Sequence, residues 1–265
     1  MTIPIAMSIA GSDSGGGAGI QADLKTFAYH RVHGTCAITC VTAQNTCGVT
    51  RVDPLEPEAV VAQIQAVTTD MQVLAIKTGM LLNCEIIQAI ALQLQDLKVL
   101  NLVVDPVMVS RAGVVLIDQT AIAALIQKLI PLALVVTPNR YEAEILAGIK
   151  LDSLADMEKA ARQIWHLGAK NVLIKGGAMP GDLKATDLWF DGQDMRVLSA
   201  RAIDTPHTHG TGCTLSAAIA ANLALGHPLA EAITSGKNYI SQGLSFPLAI
   251  GQGQGTLGFG NGARG

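Results

Sequence analysis

The sequence predicts an α/β protein of three layers, with helices on both faces of a mostly parallel central sheet and one small antiparallel ribbon. Short, nearly continuous apolar runs alternate with segments of helical period along the chain. Strands that are apolar on both sides must be covered on both faces, and a strand–helix–strand order makes successive strands parallel. Polar or glycine clusters also follow six successive runs at the same end, where an open parallel sheet builds its ligand site.

The buried strands are read at residues 5–10, 36–41, 73–76, 102–104, 134–136 and 172–174. The first run contains Pro4 beside it and no Lys or Arg before Lys25, so it lacks the positive start of a signal peptide and reads as a strand. Ile20, Leu24 and Phe27 fall on one helical face. Pro57 suits the first turn of the next helix, where its missing N–H costs nothing. Asp118 is an N-cap for a helix expected to run to about Ile130, and Ser153 with Asp156 forms a capping box for a helix ended by Gly168. Residues 188–191 and 195–198, joined through Gly192, give the antiparallel ribbon. Helices at 212–225 and 228–243 close the fold. With no linker and no internal repeat, residues 1–250 are expected to form one domain, and residues 251–265, with seven glycines, a mobile tail.

Of the 265 residues, 49% are hydrophobic and 15% charged, which suits a large core. A net charge of -3 carries no electrostatic footprint for nucleic acid. The longest uncharged stretch, from Thr205 past Pro228, is interrupted by Asn222, Gly226, His227 and Pro228, so no membrane span is expected. Five cysteines without a CxxC pair read as reduced thiols of a cytoplasmic protein. The histidines lack a metal pattern: His30, His33, His166 and His227 read as surface residues, and His207 and His209 have no third ligand.

The polar clusters carry the chemistry. Glycines 11–19 lack the Gly-Lys-Ser/Thr ending of a P-loop and the last glycine of the dinucleotide pattern, so this segment is either a tight turn or a set of backbone donors for a substrate. Gly210-Thr211-Gly212-Cys213 precedes a strongly helical run, which makes its backbone N–H groups an anion hole. Cys213 in the first turn is either a small core residue or a thiol whose thiolate the helix terminus favours. Asp105, ending an apolar strand, and Glu142, one turn into the helix after Asn139, form an acid pair suited to Mg²⁺; Glu142 alone also fits an ordinary helix-start acid. Met80 and Met108 read as apolar wall or core.

Taken together, Gly11 to Lys25, Val41-Thr42-Ala43-Gln44-Asn45-Thr46, Asp105-Pro106-Val107-Met108, Thr137-Pro138-Asn139-x-x-Glu142 and His209 to Ser216 resemble the motifs of the hydroxymethylpyrimidine/phosphomethylpyrimidine kinases of thiamine biosynthesis, within the ribokinase-like fold. The resemblance runs nearly end to end. It implies ATP-dependent phosphorylation of 4-amino-5-hydroxymethyl-2-methylpyrimidine to the monophosphate and then the diphosphate. By the same resemblance Cys213 is the base, beside the anion hole of Gly210, Thr211 and Gly212. Gly11, Asp23, Gln44 and Met80 take the pyrimidine, Asn139, Lys175, Gly176 and Thr208 lie near ATP, and Asp105 and Glu142 hold Mg²⁺. A homodimer is implied as well. The chain departs from the family at Ser110-Arg111-Ala112, at Ala178, and at Gln252 and Gln254 in the tail. Pyridoxine or pyridoxal kinase is the alternative activity, because those substrates also carry a hydroxymethyl group on a six-membered nitrogen ring; a sensor that only binds the pyrimidine is the non-enzymatic one.

Overall fold

In a computed structural model, residues 3–109 and 116–259 are described. The strands are β1 (Ile5–Asp13), β2 (His33–Asn45), β3 (Gly48–Pro54), β4 (Ala75–Thr78), β5 (Leu102–Val104), β6 (Val135–Val136), β7 (Val172–Ile174), β8 (Thr186–Phe190) and β9 (Met195–Ser199). The helices are α1 (Gly19–Tyr29), α2 (Pro57–Thr68), α3 (Cys84–Asp96), α4 (Gln119–Ala124), α5 (Arg140–Ala147), α6 (Leu154–Trp165), α7 (Thr211–Ala224) and α8 (Leu229–Ser245). One sheet holds all nine strands in the order β3-β2-β1-β4-β5-β6-β7-β8-β9. Its centre is parallel, and β2–β3, β7–β8 and β8–β9 are antiparallel.

Alternation along the strands sets the three layers. Leu102 and Val104 point into a core with α2 to α6, while Val103 between them joins α1, α7 and α8 on the other face. α7 is buried nearly all round, because it packs against the sheet, α1 and α8 at once. Pro57 starts α2, and Asp118 accepts from the Ala121 N–H at the start of α4. Ser153 and Asp156 make the reciprocal capping box of α6.

Three expectations need correction. The antiparallel part is larger than one ribbon: β3 folds back on an extended β2, and its mixed, largely exposed sequence carries no apolar run to betray it. The helix begun by Asp118 does not continue regularly to Ile130. It widens into a π turn at Leu125–Leu129 and tightens to 3₁₀ at Ile130–Leu132, since Pro131 cannot donate to a helical ladder.

The third correction concerns the tail. Residues 251–259 are docked: Gly253 and Gln254 donate to Thr46, Gly255 donates to His207 and accepts from the His209 N–H, and Leu257 is buried. Phe259 stacks on Tyr239 at 4.2 Å. His30, expected at the surface, lies in the same aromatic cluster, 4.8 Å from the Tyr239 ring. Residues 260–265 and Ser110-Arg111-Ala112 lie outside the described residues.

Candidate active site

The carboxyl ends of β1, β2, β4, β5 and β7 converge on the N-terminus of α7. The turn after β1 is organised by Asp13, whose buried carboxylate accepts from the N–H groups of Gly15 (2.8 Å), Gly17 (3.0 Å) and Ala18 (2.8 Å). Nε2 of His209 meets the same carboxylate at 3.0 Å. Burial opposes the charge on Asp13, but His209 and these backbone donors outweigh it and hold the carboxyl below its usual range. His209 also lies 3.2 Å from the Gln44 side-chain amide. The glycine turn, the end of β2 and the approach to α7 therefore meet at one imidazole.

Glycine is required where these segments cross. Gly210, which caps α7, has φ +78°, and a Cβ there would run into the carbonyl of Gly17. At Gly19, φ +56°, a Cβ would likewise run into the carbonyl of Gly11. A Cβ on Gly11 would in turn fall 2.8 Å from Cys40 Sγ and 2.9 Å from the Met80 methyl, so Gly11 and Met80 share one wall.

The first turn of α7 presents a set of backbone donors. Thr211 turns its N–H and hydroxyl back to the carbonyl of Thr208, while the N–H groups of Gly212 and Cys213 meet no protein acceptor among the described residues. A Cβ on Gly212 would lie 3.2 Å from Lys175 Nζ, so this ammonium stands at the helix N-terminus. Lys175 Nζ donates to Asp105 Oδ1 at 2.6 Å, and Asp105 Oδ2 accepts from the Ser216 hydroxyl at 3.1 Å. Burial works against the charge of Lys175, yet Asp105 and then Glu142 hold it protonated above its ordinary range.

Glu142 completes a capping box with Asn139: each accepts from the other's backbone N–H, at 2.8 and 3.0 Å. Burial is the main force that pushes its carboxyl up to about 8, with Asp105 adding repulsion against the attraction of Lys175. Asp105, Lys175 and Glu142 thus form one electrostatic group. Gly176 is less available than expected, because its N–H donates to Asp187 at 2.8 Å.

Two expectations shift at this point. Cys213 is partly buried at the first turn of α7, but burial pushes its thiol up to about 11; Lys77 and the Gly19 N–H favour the thiolate, while Asp105 and Asp23 oppose it. The helix terminus alone does not make a thiolate here. Asp23 is fully enclosed, accepting from Lys77 Nζ at 2.7 Å and from the Ser8 hydroxyl at 2.6 Å. Its other oxygen, Oδ1, is buried with no partner among the described residues, and the carboxylate lies outside the hydrogen-bond group of Gln44.

Sequence reasoning missed Asp13, Lys77, His209 and Ser216. Asp13 stands in the glycine motif and His209 opens the catalytic-corner motif, but the sequence gives neither a partner. Lys77 did leave a signal, a cation directly after an apolar strand. Ser216 closes the catalytic-corner motif, but the helical pattern there gives it no role of its own.

Comparison with known proteins identifies the family. The family profile described as phosphomethylpyrimidine kinase matches residues 13–258. A hydroxymethylpyrimidine/phosphomethylpyrimidine kinase of Synechococcus elongatus is 60% identical over 258 residues, 97% of this chain and 98% of the relative. Among solved structures, the phosphomethylpyrimidine kinase of Clostridium difficile 630 is 43% identical with a TM-score of 0.81, covering 91% of this chain and 98% of that one. The ADP complex of Bacillus subtilis pyridoxal kinase is 39% identical with a TM-score of 0.89, covering 97% of each chain.

Proposed function

The chain belongs to the phosphomethylpyrimidine kinase family, and from that premise we propose how its residues divide the work. The enzyme phosphorylates hydroxymethylpyrimidine and then the resulting monophosphate in thiamine biosynthesis, with ATP as donor. The observation that carries our assignment is the pairing of two unengaged N–H groups, on Gly212 and Cys213, with the Lys175 ammonium at one helix N-terminus. Anionic oxygens are favoured there by dipole, donors and charge together.

Lys175 and the α7 amides neutralise charge on the transferred phosphoryl group, which is where most of the rate enhancement in such a transfer arises. Asn139 and Thr208 border this group on the nucleotide side, and Gly176 keeps the chain close by packing against the Thr186 backbone. Gly11 and Met80 form the apolar wall for the pyrimidine, and Gln44, fixed against His209 and Thr42, supplies the polar contact.

Cys213 takes the proton of the hydroxymethyl group in the first transfer. The thiolate takes the hydroxyl proton and becomes S–H as the freed oxygen bonds to the γ-phosphorus of ATP, and the P–O bond to ADP breaks with ADP as the leaving group. With its thiol near 11 it works as a scarce but strong base. The second acceptor is already an anionic phosphate and needs no base.

Mg²⁺ fits the residues present. Among the described residues no cluster of three or more His, Cys, Asp and Glu stands ready for a metal, but Mg²⁺ commonly takes one or two carboxylates and fills its shell with phosphate oxygens and water. Asp105 and Glu142, which repel each other, are the pair that would hold it. When bound, the ion supplies positive charge to the phosphates. The five free cysteines suit a reducing cytoplasm, and among the described residues no helix is long and apolar enough to cross a membrane. We also propose a homodimer.

Purified protein given ATP and hydroxymethylpyrimidine should yield monophosphate and then diphosphate, followed by chromatography, with pyridoxal as a competing acceptor. Production of pyridoxal phosphate alone would overturn the assignment.

A further inference from the structure

The imidazole of His209 stands between side chains from two other elements. Its Nε2 lies 3.0 Å from Asp13 Oδ2 and 3.2 Å from the Gln44 side-chain amide. Asp13 is buried and accepts the backbone N–H groups of Gly15, Gly17 and Ala18, which hold it as a carboxylate. A carboxylate only accepts, so Nε2 of His209 carries a hydrogen and donates to it. The ring is packed in place. A Cβ on Gly17 would run into its Cδ2, and the tail holds the His209 backbone on both sides. The Gly255 carbonyl accepts its N–H at 3.1 Å, and the Thr256 hydroxyl donates to its carbonyl at 3.1 Å.

A donor at Nε2 decides how the Gln44 amide sits. An amide has an acceptor on one arm and donors on the other, and its hydrogen bonds settle which arm points where. The arm beside His209 meets an N–H and is therefore the carbonyl oxygen. Thr42 gives the same answer independently. Its hydroxyl lies 3.3 Å from the other arm but donates its one hydrogen to the Ser12 carbonyl at 2.9 Å, so toward Gln44 it can only accept, and the NH₂ faces it. The reverse arrangement would set donor against donor at His209 and acceptor against acceptor at Thr42.

We infer that His209 is a positioning residue that sets substrate specificity: made a donor by Asp13, it locks the Gln44 amide so that the site reads a ring edge bearing an acceptor nitrogen beside an amino donor. This rests on the reading of Gln44 as the polar contact of the pyrimidine. The locked amide keeps a lone pair on its oxygen and one N–H for a ligand. On 4-amino-5-hydroxymethyl-2-methylpyrimidine, N3 accepts and the 4-amino group donates. In the 4-oxo analogue N3 carries the hydrogen and the exocyclic oxygen accepts, so the order is reversed. An amide free to turn serves both edges, whereas a locked one meets the reversed edge with unpaired polar groups.

The test compares kcat/KM for the 4-amino substrate and its 4-oxo analogue in the parent, in His209→Leu, which removes the donor, and in His209→Gln, which places an amide N–H near the position of Nε2. His209→Leu should raise the KM of the amino substrate and shrink the amino-over-oxo preference about tenfold, with the KM of ATP within about threefold. His209→Gln should recover most of the preference. A preference unmoved in His209→Leu, or equal rises in both KM values, overturns the positioning role. Long-range nitrogen–proton NMR reads the tautomer in the absence of substrate, with the His209 signal assigned by its loss in His209→Leu; an Nε2 without hydrogen overturns the role as well. Gln44→Ala separates the inference from the reading beneath it. A preference lost in Gln44→Ala but kept in His209→Leu leaves Gln44 as the contact and removes His209. A preference that survives Gln44→Ala while Nε2 proves protonated removes Gln44 as the contact, and the specificity role of His209 with it.

Discussion

Lys175 Nζ lies 2.6 Å from Asp105 Oδ1 and stands against Gly212, so one ammonium joins a buried acid to the N-terminus of α7. An anion arriving at the helix meets a cation already oriented, with no reorganisation needed at the moment of transfer. Lys175→Met should lower both phosphorylations by about 10²–10³-fold. Steady-state rates with each acceptor check this, and loss confined to one acceptor would take Lys175 out of the shared phosphate site.

Cys213 should distinguish the two reactions. Cys213→Ala is expected to lower the first phosphorylation by about 10²–10⁴-fold, the range for one general base, and to leave the second within a few-fold. Separate assays with hydroxymethylpyrimidine and with its monophosphate provide the measurement. Equal losses would make Cys213 part of the anion hole only.

The sequence made the architecture legible because buried parallel strands leave continuous apolar runs and helices leave caps: Pro57, Asp118, Ser153 and Asp156 all sit at the predicted starts. It was equally direct about the Gly210–Cys213 corner, where small residues precede a helix. What it hid depends on partners distant in the chain. Asp13 and His209 are 196 positions apart, and Lys77 and Asp23 are 54, so no local spacing announces either pair. The elevated thiol of Cys213 was hidden for the same reason, since burial and two carboxylates from other elements outweigh the local helix terminus. The glycines at 251–258 read as looseness, yet several permit a close approach to the backbone of Thr46, Phe246 and Leu248.

The direction of the Cys213 shift fixes a pH dependence. A thiol pushed up to about 11 is protonated across the neutral range, so the thiolate population rises about tenfold per pH unit below that value. With saturating substrates, the first phosphorylation should climb between pH 7 and 9 while the second stays comparatively flat. Parallel pH profiles for the two acceptors would remove the thiolate from the mechanism.

Asp105 is expected to set the metal requirement. Asp105→Asn removes one charge of the acid pair and loosens Lys175, so the Mg²⁺ concentration for half-maximal ATP turnover should rise about tenfold or more. A metal titration reads this directly. An unchanged midpoint would leave Asp105 with the Lys175 ion pair as its only role.

Glu142 gives a stability signature separate from turnover. Its carboxyl is raised to about 8, well above an unfolded glutamic acid at about 4.3, so between these values the folded chain binds a proton that the unfolded chain has released. Its contribution is therefore fully present below the unfolded value and is lost as pH rises through about 8. Gln at this position keeps an oxygen for the Asn139 N–H but does not titrate. Glu142→Gln should gain stability relative to the parent between pH 5 and 9, seen as a widening difference in denaturant midpoints with chelator present. A constant difference across that range would mean that Glu142 ionises freely in the fold and that its repulsion from Asp105 is too weak to recruit a cation.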